Sequence, residues 1–85
     1  MNIVFSPQAK KHLQKFPFSL RKTLYKQLVL LEGNPRHPSL RVRRMSGRLY
    51  FEARITRGYR FVFQRAGDEL WIIALGPHDE GLGKK

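Results

Sequence analysis

The sequence contains no cysteine. Disulfides and thiolate metal sites are therefore excluded, and the chain is compatible with a reducing cytosol. No apolar run approaches the roughly 20 residues that a membrane span requires. The segment Met1-Asn2-Ile3-Val4-Phe5 has no basic region followed by a long apolar one, so no secretory signal is expected and the expected location is cytoplasmic. Acidic residues are scarce: six against 17 lysines and arginines, a net charge of +11. The three histidines, His12, His37 and His78, lack metal-ligand spacing, and the local basicity opposes a cation at His78-Asp79-Glu80. Gly76 to Gly83 does not join a strand to a helix, so no phosphate loop is present. No metal or cofactor is expected. A chain of 85 residues leaves room for one domain, 1–85, with a modest core.

What the sequence does contain is organised around Tyr50 to Phe63. Leu49, Phe51, Ala53 and Ile55 alternate with Tyr50, Glu52, Arg54 and Thr56. After Gly58, Tyr59, Phe61 and Phe63 alternate with Arg60, Val62 and Gln64. Two period-2 runs around one glycine predict a β-hairpin. Directly paired residues of an antiparallel ladder share a face. A two-residue loop at Arg57-Gly58 would pair Ile55 with Arg60 and Arg54 with Phe61, mixing charge with apolar groups. A three-residue loop, Thr56-Arg57-Gly58, pairs Ala53 with Phe61 and Phe51 with Phe63, and puts glycine at the left-handed position such loops use. This reading makes Arg54 and Arg60 cross-strand neighbours. Like charges so placed destabilise a sheet unless each is solvated or an anion lies between them. Guanidinium forks suit phosphate oxygens, so the pair is a candidate phosphate cradle.

The charge distribution points the same way. From Arg36 to Arg65 there are nine arginines, no lysine and one acid, Glu52, whereas the first third carries lysines. Arginine without lysine across an expected sheet favours directed contacts to a polyanion; an acidic protein partner can use the same face.

Taken in order, Asn2 to Phe5 reads as a short strand. Ser6-Pro7 has the capping residue and the first-turn proline of a helix, which Pro17 ends. A second helix is expected from about Ser19 to Glu32, with Leu20, Leu24, Leu28 and Leu31 as its apolar stripe and Gly33 and Pro35 closing it. Asn34 to Pro38 is a connector. Leu40 to Met45 alternates as a second strand, Ser46-Gly47 turns into the hairpin, and Ala66-Gly67-Asp68 is the next turn. Glu69 to Leu75 is almost wholly apolar, as an interior strand would be. Gly76-Pro77 stops it, and His78 to Lys85 is a tail. The expected fold class is α+β: a strand, a two-helix hairpin and an antiparallel meander of four strands.

Antiparallel pairing of the last strand with Phe61–Gln64 brings Gly76-Pro77-His78 beside Arg60. Arg54, Arg60 and His78 are thus expected at one end of the sheet. Imidazole moves protons near neutral pH and guanidinium stabilises a charged phosphorane, so the trio suits RNA cleavage through the 2′-hydroxyl. Ser6, Ser19, Ser39 and Ser46 sit where caps and turns use serine. Tyr50 shares a face with Arg54 and is a candidate for stacking on a base.

The element order, the hairpin Ala53-Arg54-Ile55-Thr56-Arg57-Gly58-Tyr59-Arg60-Phe61-Val62-Phe63 and the late Gly76-Pro77-His78-Asp79-Glu80 resemble the RelE/ParE superfamily of toxins from type II toxin–antitoxin systems. The likeness covers nearly the whole chain, is diagnostic from Met45 to Glu80, and lies closest to the RelE/YoeB-like branch. It implies a RelE/ParE-like fold and a cytoplasmic toxin that cleaves mRNA on the ribosome without metal, neutralised by a small acidic antitoxin. It places Arg60 on the scissile phosphate and His78 in proton transfer, with Arg54 beside them. Arg41, Arg43, Arg44, Arg48, Tyr50 and Arg57 would then face RNA. Several family features are missing. Gly81 and Leu82 stand where many members have a tyrosine, Phe51 and Ala53 where some have lysines, and His37 and Pro38 where some have a glutamate; a C-terminal helix is also absent. The general base is therefore unassigned, with Glu52 and His37 as substitutes. Two other classes stay open: a ParE-like inhibitor of DNA gyrase that cleaves nothing, and a non-catalytic basic module that binds RNA.

Overall fold

The computed structural model describes residues 2–45 and 49–77. Strand β1 (Asn2–Phe5) leads into helices α1 (Pro7–Gln14) and α2 (Phe18–Gly33). A single 3-10 turn, Pro38–Leu40, is followed by β2 (Arg43–Arg44), β3 (Phe51–Thr56), β4 (Tyr59–Ala66) and β5 (Glu69–Pro77). The five strands form one sheet in the order β1-β5-β4-β3-β2. β1 runs parallel to β5, and every other pair is antiparallel. The expected α+β meander is present, with β5 interior between β1 and β4. The expected turn at Ser46-Gly47 and the tail from His78 lie outside the described residues.

The helices start and stop for local reasons. Ser6 caps α1, its hydroxyl accepting from Ala9 N at 3.0 Å, and Pro7 fills the first turn. α2 starts after Pro17. Gly33 is its last residue and does not take the left-handed conformation expected of a closing glycine; Asn34 N donates to Leu30 O instead. Leu24, Leu28 and Leu31 are buried, and they cluster with Ala9, Phe16, Ala53, Phe61, Phe63, Leu70 and Ile72. This core lies between the two helices and one face of the sheet.

The second strand is shorter than its alternation predicts. Leu40 closes the 3-10 turn, in which His37 Nδ1 accepts from Ser39 N, and Arg41 takes a left-handed backbone, φ 49°. That reversal spends the first residues of the expected strand on a turn and leaves only Arg43–Arg44 to pair with β3. The hairpin differs too. Its pairing is as the side chains require: Phe51 with Phe63, Ala53 with Phe61, Arg54 with Arg60. The extra residue, however, is absorbed within β3, where the register shifts between Arg54 and Thr56, so Thr56 pairs with Tyr59 across the two-residue turn Arg57-Gly58. Ile55 thereby keeps its side chain in the core, 3% exposed. Gly58 is not left-handed; its N–H donates to Thr56 Oγ1 at 3.3 Å. The left-handed glycine is Gly67, φ 59°, in the two-residue turn that joins β4 and β5.

A second register shift lies in β5. Phe63 pairs with Ile72 and Val62 with Ala74, so Ile73 is the extra residue. The shift lets Leu70, Ile72 and Leu75 all reach the helix-side core despite their uneven spacing. On the other side of β5, β1 ends at Phe5 opposite Ile72, which leaves backbone groups to satisfy along the edge beyond it. α1 supplies the partners. Ser6 N donates to Ile72 O at 2.9 Å, Ser6 Oγ donates to Ile73 O at 2.8 Å, and His12 Nδ1 accepts from Leu75 N at 3.0 Å. Ser6 therefore joins the helix cap to the sheet edge. Ser6→Ala removes both bonds and is expected to lower the unfolding free energy by about 2 kcal/mol. Urea unfolding checks this, with the exposed Ser19→Ala expected to change little; equal midpoints for the two variants would contradict it.

Candidate functional site

The pairing parity of β3 and β4 divides their side chains between two faces. Phe51, Ala53, Phe61 and Phe63 turn toward the helices, and Phe51 stacks on Phe63 with ring centroids 5.6 Å apart. Glu52, Arg54, Arg60 and Val62 occupy the other face. Arg54 lies directly opposite Arg60, and both are half-buried.

The cluster is wider than this pair. Partial burial lowers the pKa of Arg54, and the charges of Arg41, Arg60 and Arg57 lower it further. Guanidinium is nonetheless charged at any neutral pH. Three arginines thus act on a fourth, and Arg54 Nε is buried with no hydrogen-bond partner among the described residues. A buried donor without a partner is costly, and an anion that accepts from it removes that cost. The left-handed backbone of Arg41 turns the chain in the segment that carries this residue beside Arg54.

Gln27 joins the two backbone segments, and sequence reasoning missed it. It is 5% exposed on α2, and its Nε2 donates to Arg54 O at 2.9 Å and to Ser39 O at 3.4 Å. β2 begins at Arg43, opposite Glu52, so the β3 edge from Ala53 onward has no β2 partner and this side chain bonds to it at Arg54. The signal was available: Gln27 occupies the stripe of Leu20, Leu24, Leu28 and Leu31, where a polar residue needs a buried partner.

The remaining candidates are more dispersed. Glu52 is 1% exposed, and Arg43 Nε donates to its Oε1 at 2.9 Å. Arg43 pairs with Glu52 and Arg44 with Phe51, so the two arginines start from opposite faces of the sheet. Tyr50 precedes β3, half-buried, and its carbonyl accepts from Met45 N. Arg57 is exposed in the hairpin turn. His37 Nδ1 is engaged by Ser39 N and lies 2.9 Å from Ser39 Oγ. Arg48 and His78 lie outside the described residues. The strand that leads to His78 does run where expected, with Gly76 opposite Arg60 and Pro77 opposite Tyr59. Among the described residues no three His, Asp or Glu side chains gather to share a metal ion, and no helix is long and apolar enough to cross a membrane.

No family model and no curated protein sequence matches the chain. Solved structures do. The YoeB dimer from Staphylococcus aureus is 24% identical, with 92% of this chain and 97% of that one covered at a TM-score of 0.75. The archaeal RelE–RelB complex from Pyrococcus horikoshii OT3 is 20% identical, with coverage of 94% and 97% and a TM-score of 0.75. The isolated E. coli RelE toxin is 25% identical, with coverage of 94% and 86% and a TM-score of 0.70. The chain has the RelE/ParE toxin fold.

If Gln27 closes the β3 edge, Gln27→Met leaves Arg54 O without its donor and lowers stability by about 1–3 kcal/mol. Its exposed neighbour serves as control, Lys26→Met being expected to stay within about 0.5 kcal/mol of wild type. Thermal melts of the two variants compare them directly, and coincident curves would rule the bond out as a structural tie.

Proposed function

We propose that this chain is a cytoplasmic toxin of a toxin–antitoxin system that cleaves mRNA on the ribosome and is neutralised by an acidic antitoxin. The observation that supports this most is Arg54 directly opposite Arg60, in a cluster completed by Arg41 and Arg57. Such a cluster holds phosphate oxygens and stabilises a phosphorane. In this reading Arg60 and Arg54 bind the scissile phosphate, and His78, two residues past the partner of Arg60, protonates the leaving 5′-oxygen. Arg41, Arg43, Arg44, Arg48, Arg57 and Tyr50 bind the message and ribosomal RNA. The base that takes the 2′-hydroxyl proton is unassigned, and the proposal includes no metal or cofactor. In this reading residues 1–85 act as one toxin domain. The fold likeness to RelE and YoeB supports the assignment, and the solved RelE–RelB complex supports an antitoxin partner.

One observation favours a second reading, a toxin that binds DNA gyrase or an RNA-binding module, neither of which cuts RNA. Glu52 and His37, the substitutes for the general base, are both engaged in structural contacts, Glu52 with Arg43 and His37 with Ser39.

Inducible expression of wild type, Arg60→Ala and His78→Ala in a bacterial host separates these readings. The nuclease reading expects codon-phased mRNA 5′ ends on translating ribosomes, lost in both variants while melting temperatures stay near wild type. Growth arrest with intact mRNA and DNA-damage signalling would replace it with the gyrase reading. Neither arrest nor cuts would leave a basic module.

A further inference from the structure

A second feature lies on the helix side of the sheet, away from the arginine cluster. α2 ends at Gly33 before it covers the far ends of β3 and β4. The gap is a pocket of about 210 Å³ lined by Leu31, Pro35, Val42, Phe51, Phe63 and Arg65. Its lining includes the stacked rings of Phe51 and Phe63. Leu31 and Phe63 are buried core residues, whereas Pro35 and Arg65 are exposed. Arg65 is the one polar side chain of the lining. Arg36 follows Pro35, and Arg41 and Arg43 flank Val42, all three exposed.

We propose that this pocket anchors an acidic segment of a partner protein through one bulky apolar side chain. An apolar cavity of about 150 Å³ accepts a benzene-sized group, so this pocket takes a leucine, methionine or phenylalanine side chain. Ordinary small-molecule sites begin near 300 Å³. A nucleobase is disfavoured, because its polar edges would face Leu31, Val42 and two phenylalanines without partners. A second copy of this chain is disfavoured by charge, since each copy carries +11 and brings the same arginines. An acidic strand or helix meets both demands: its apolar anchor fills the pocket, and its carboxylates face Arg65 and Arg36. The inference deepens the antitoxin reading above, on which it rests for the nature of the partner.

The probe is a library of random peptides displayed on phage and selected on the full chain. Enriched peptides are expected to carry one bulky apolar residue flanked by Asp or Glu. Val42→Trp fills the pocket and is expected to weaken them by about tenfold or more. Arg65→Glu, a surface change that leaves the fold intact, is expected to weaken them in the same direction. Amide NMR shifts on titration of a synthetic copy should centre on Val42, Phe51 and Phe63. Acidic peptides that bind both variants as they bind wild type, with the apolar residue dispensable, would overturn the pocket while leaving an acidic partner in place. Enrichment without acidic residues would remove the acidic partner itself. Self-association that Val42→Trp abolishes, with no peptide enriched, would assign the pocket to a second copy and overturn the proposal. No RNA enters the assay, so none of these outcomes depends on cleavage.

Discussion

The register of β3 on β4 is the constraint from which the rest of the structure follows. Burying Phe51 against Phe63 and Ala53 against Phe61 fixes one face of the hairpin. The period-2 alternation of a strand then sets Arg54 opposite Arg60 on the other. A slip of one residue would relieve that repulsion but turn the phenylalanines to the charged face. Apolar burial therefore enforces a like-charge pair, and the fold holds an electrostatically unfavourable arrangement where an anion would make it favourable.

The surrounding elements reinforce this geometry. The shift at Ile73 keeps β5 packed on the helices and sets Gly76 opposite Arg60, so β5 ends at Pro77 beside the cluster. Ser6 and His12 hold the opposite edge of β5 to α1. Gln27 fastens α2 to the backbone of Arg54. Glu52, the one acid from Arg36 to Arg65, is buried against Arg43 rather than set between Arg54 and Arg60. The arginine cluster and the apolar pocket lie on the two sides of the same hairpin: Phe51 and Phe63 line the pocket, while Arg54 and Arg60 point the other way.

Much of this was legible in the sequence because the determining interactions repeat with strand and helix periods. Phe51, Ala53, Phe61 and Phe63 dictate the pairing; Leu24, Leu28 and Leu31 dictate the helix face; Ser6-Pro7 marks the start of α1. The misreadings arose where one residue departs from the period. Arg41 is a left-handed arginine that no alternation signals, and it shortens the second strand. The extra residue of the hairpin went to Ile55 because core burial of its side chain and the Thr56 hydroxyl bond replaced a left-handed glycine. The parallel pairing of β1 with β5 depends on contacts distant in sequence, such as Ser6 with Ile73. In the candidate site, the Arg54–Arg60 juxtaposition came from parity alone, whereas Gln27 and the proximity of Arg41 required the packing of α2 and the 3-10 turn.

Whether Arg54 and Arg60 form one anion cradle is tested most directly by the salt dependence of binding to a short single-stranded RNA, for wild type, Arg54→Gln and Arg60→Gln. Each phosphate contact contributes about 0.7 to the slope of log K against log salt concentration. Each variant is expected to flatten the slope by about that amount, and the double variant by less than the sum, because both guanidiniums share one phosphate. Slopes unchanged from wild type in both single variants would contradict the cradle and leave the pair as two solvated arginines.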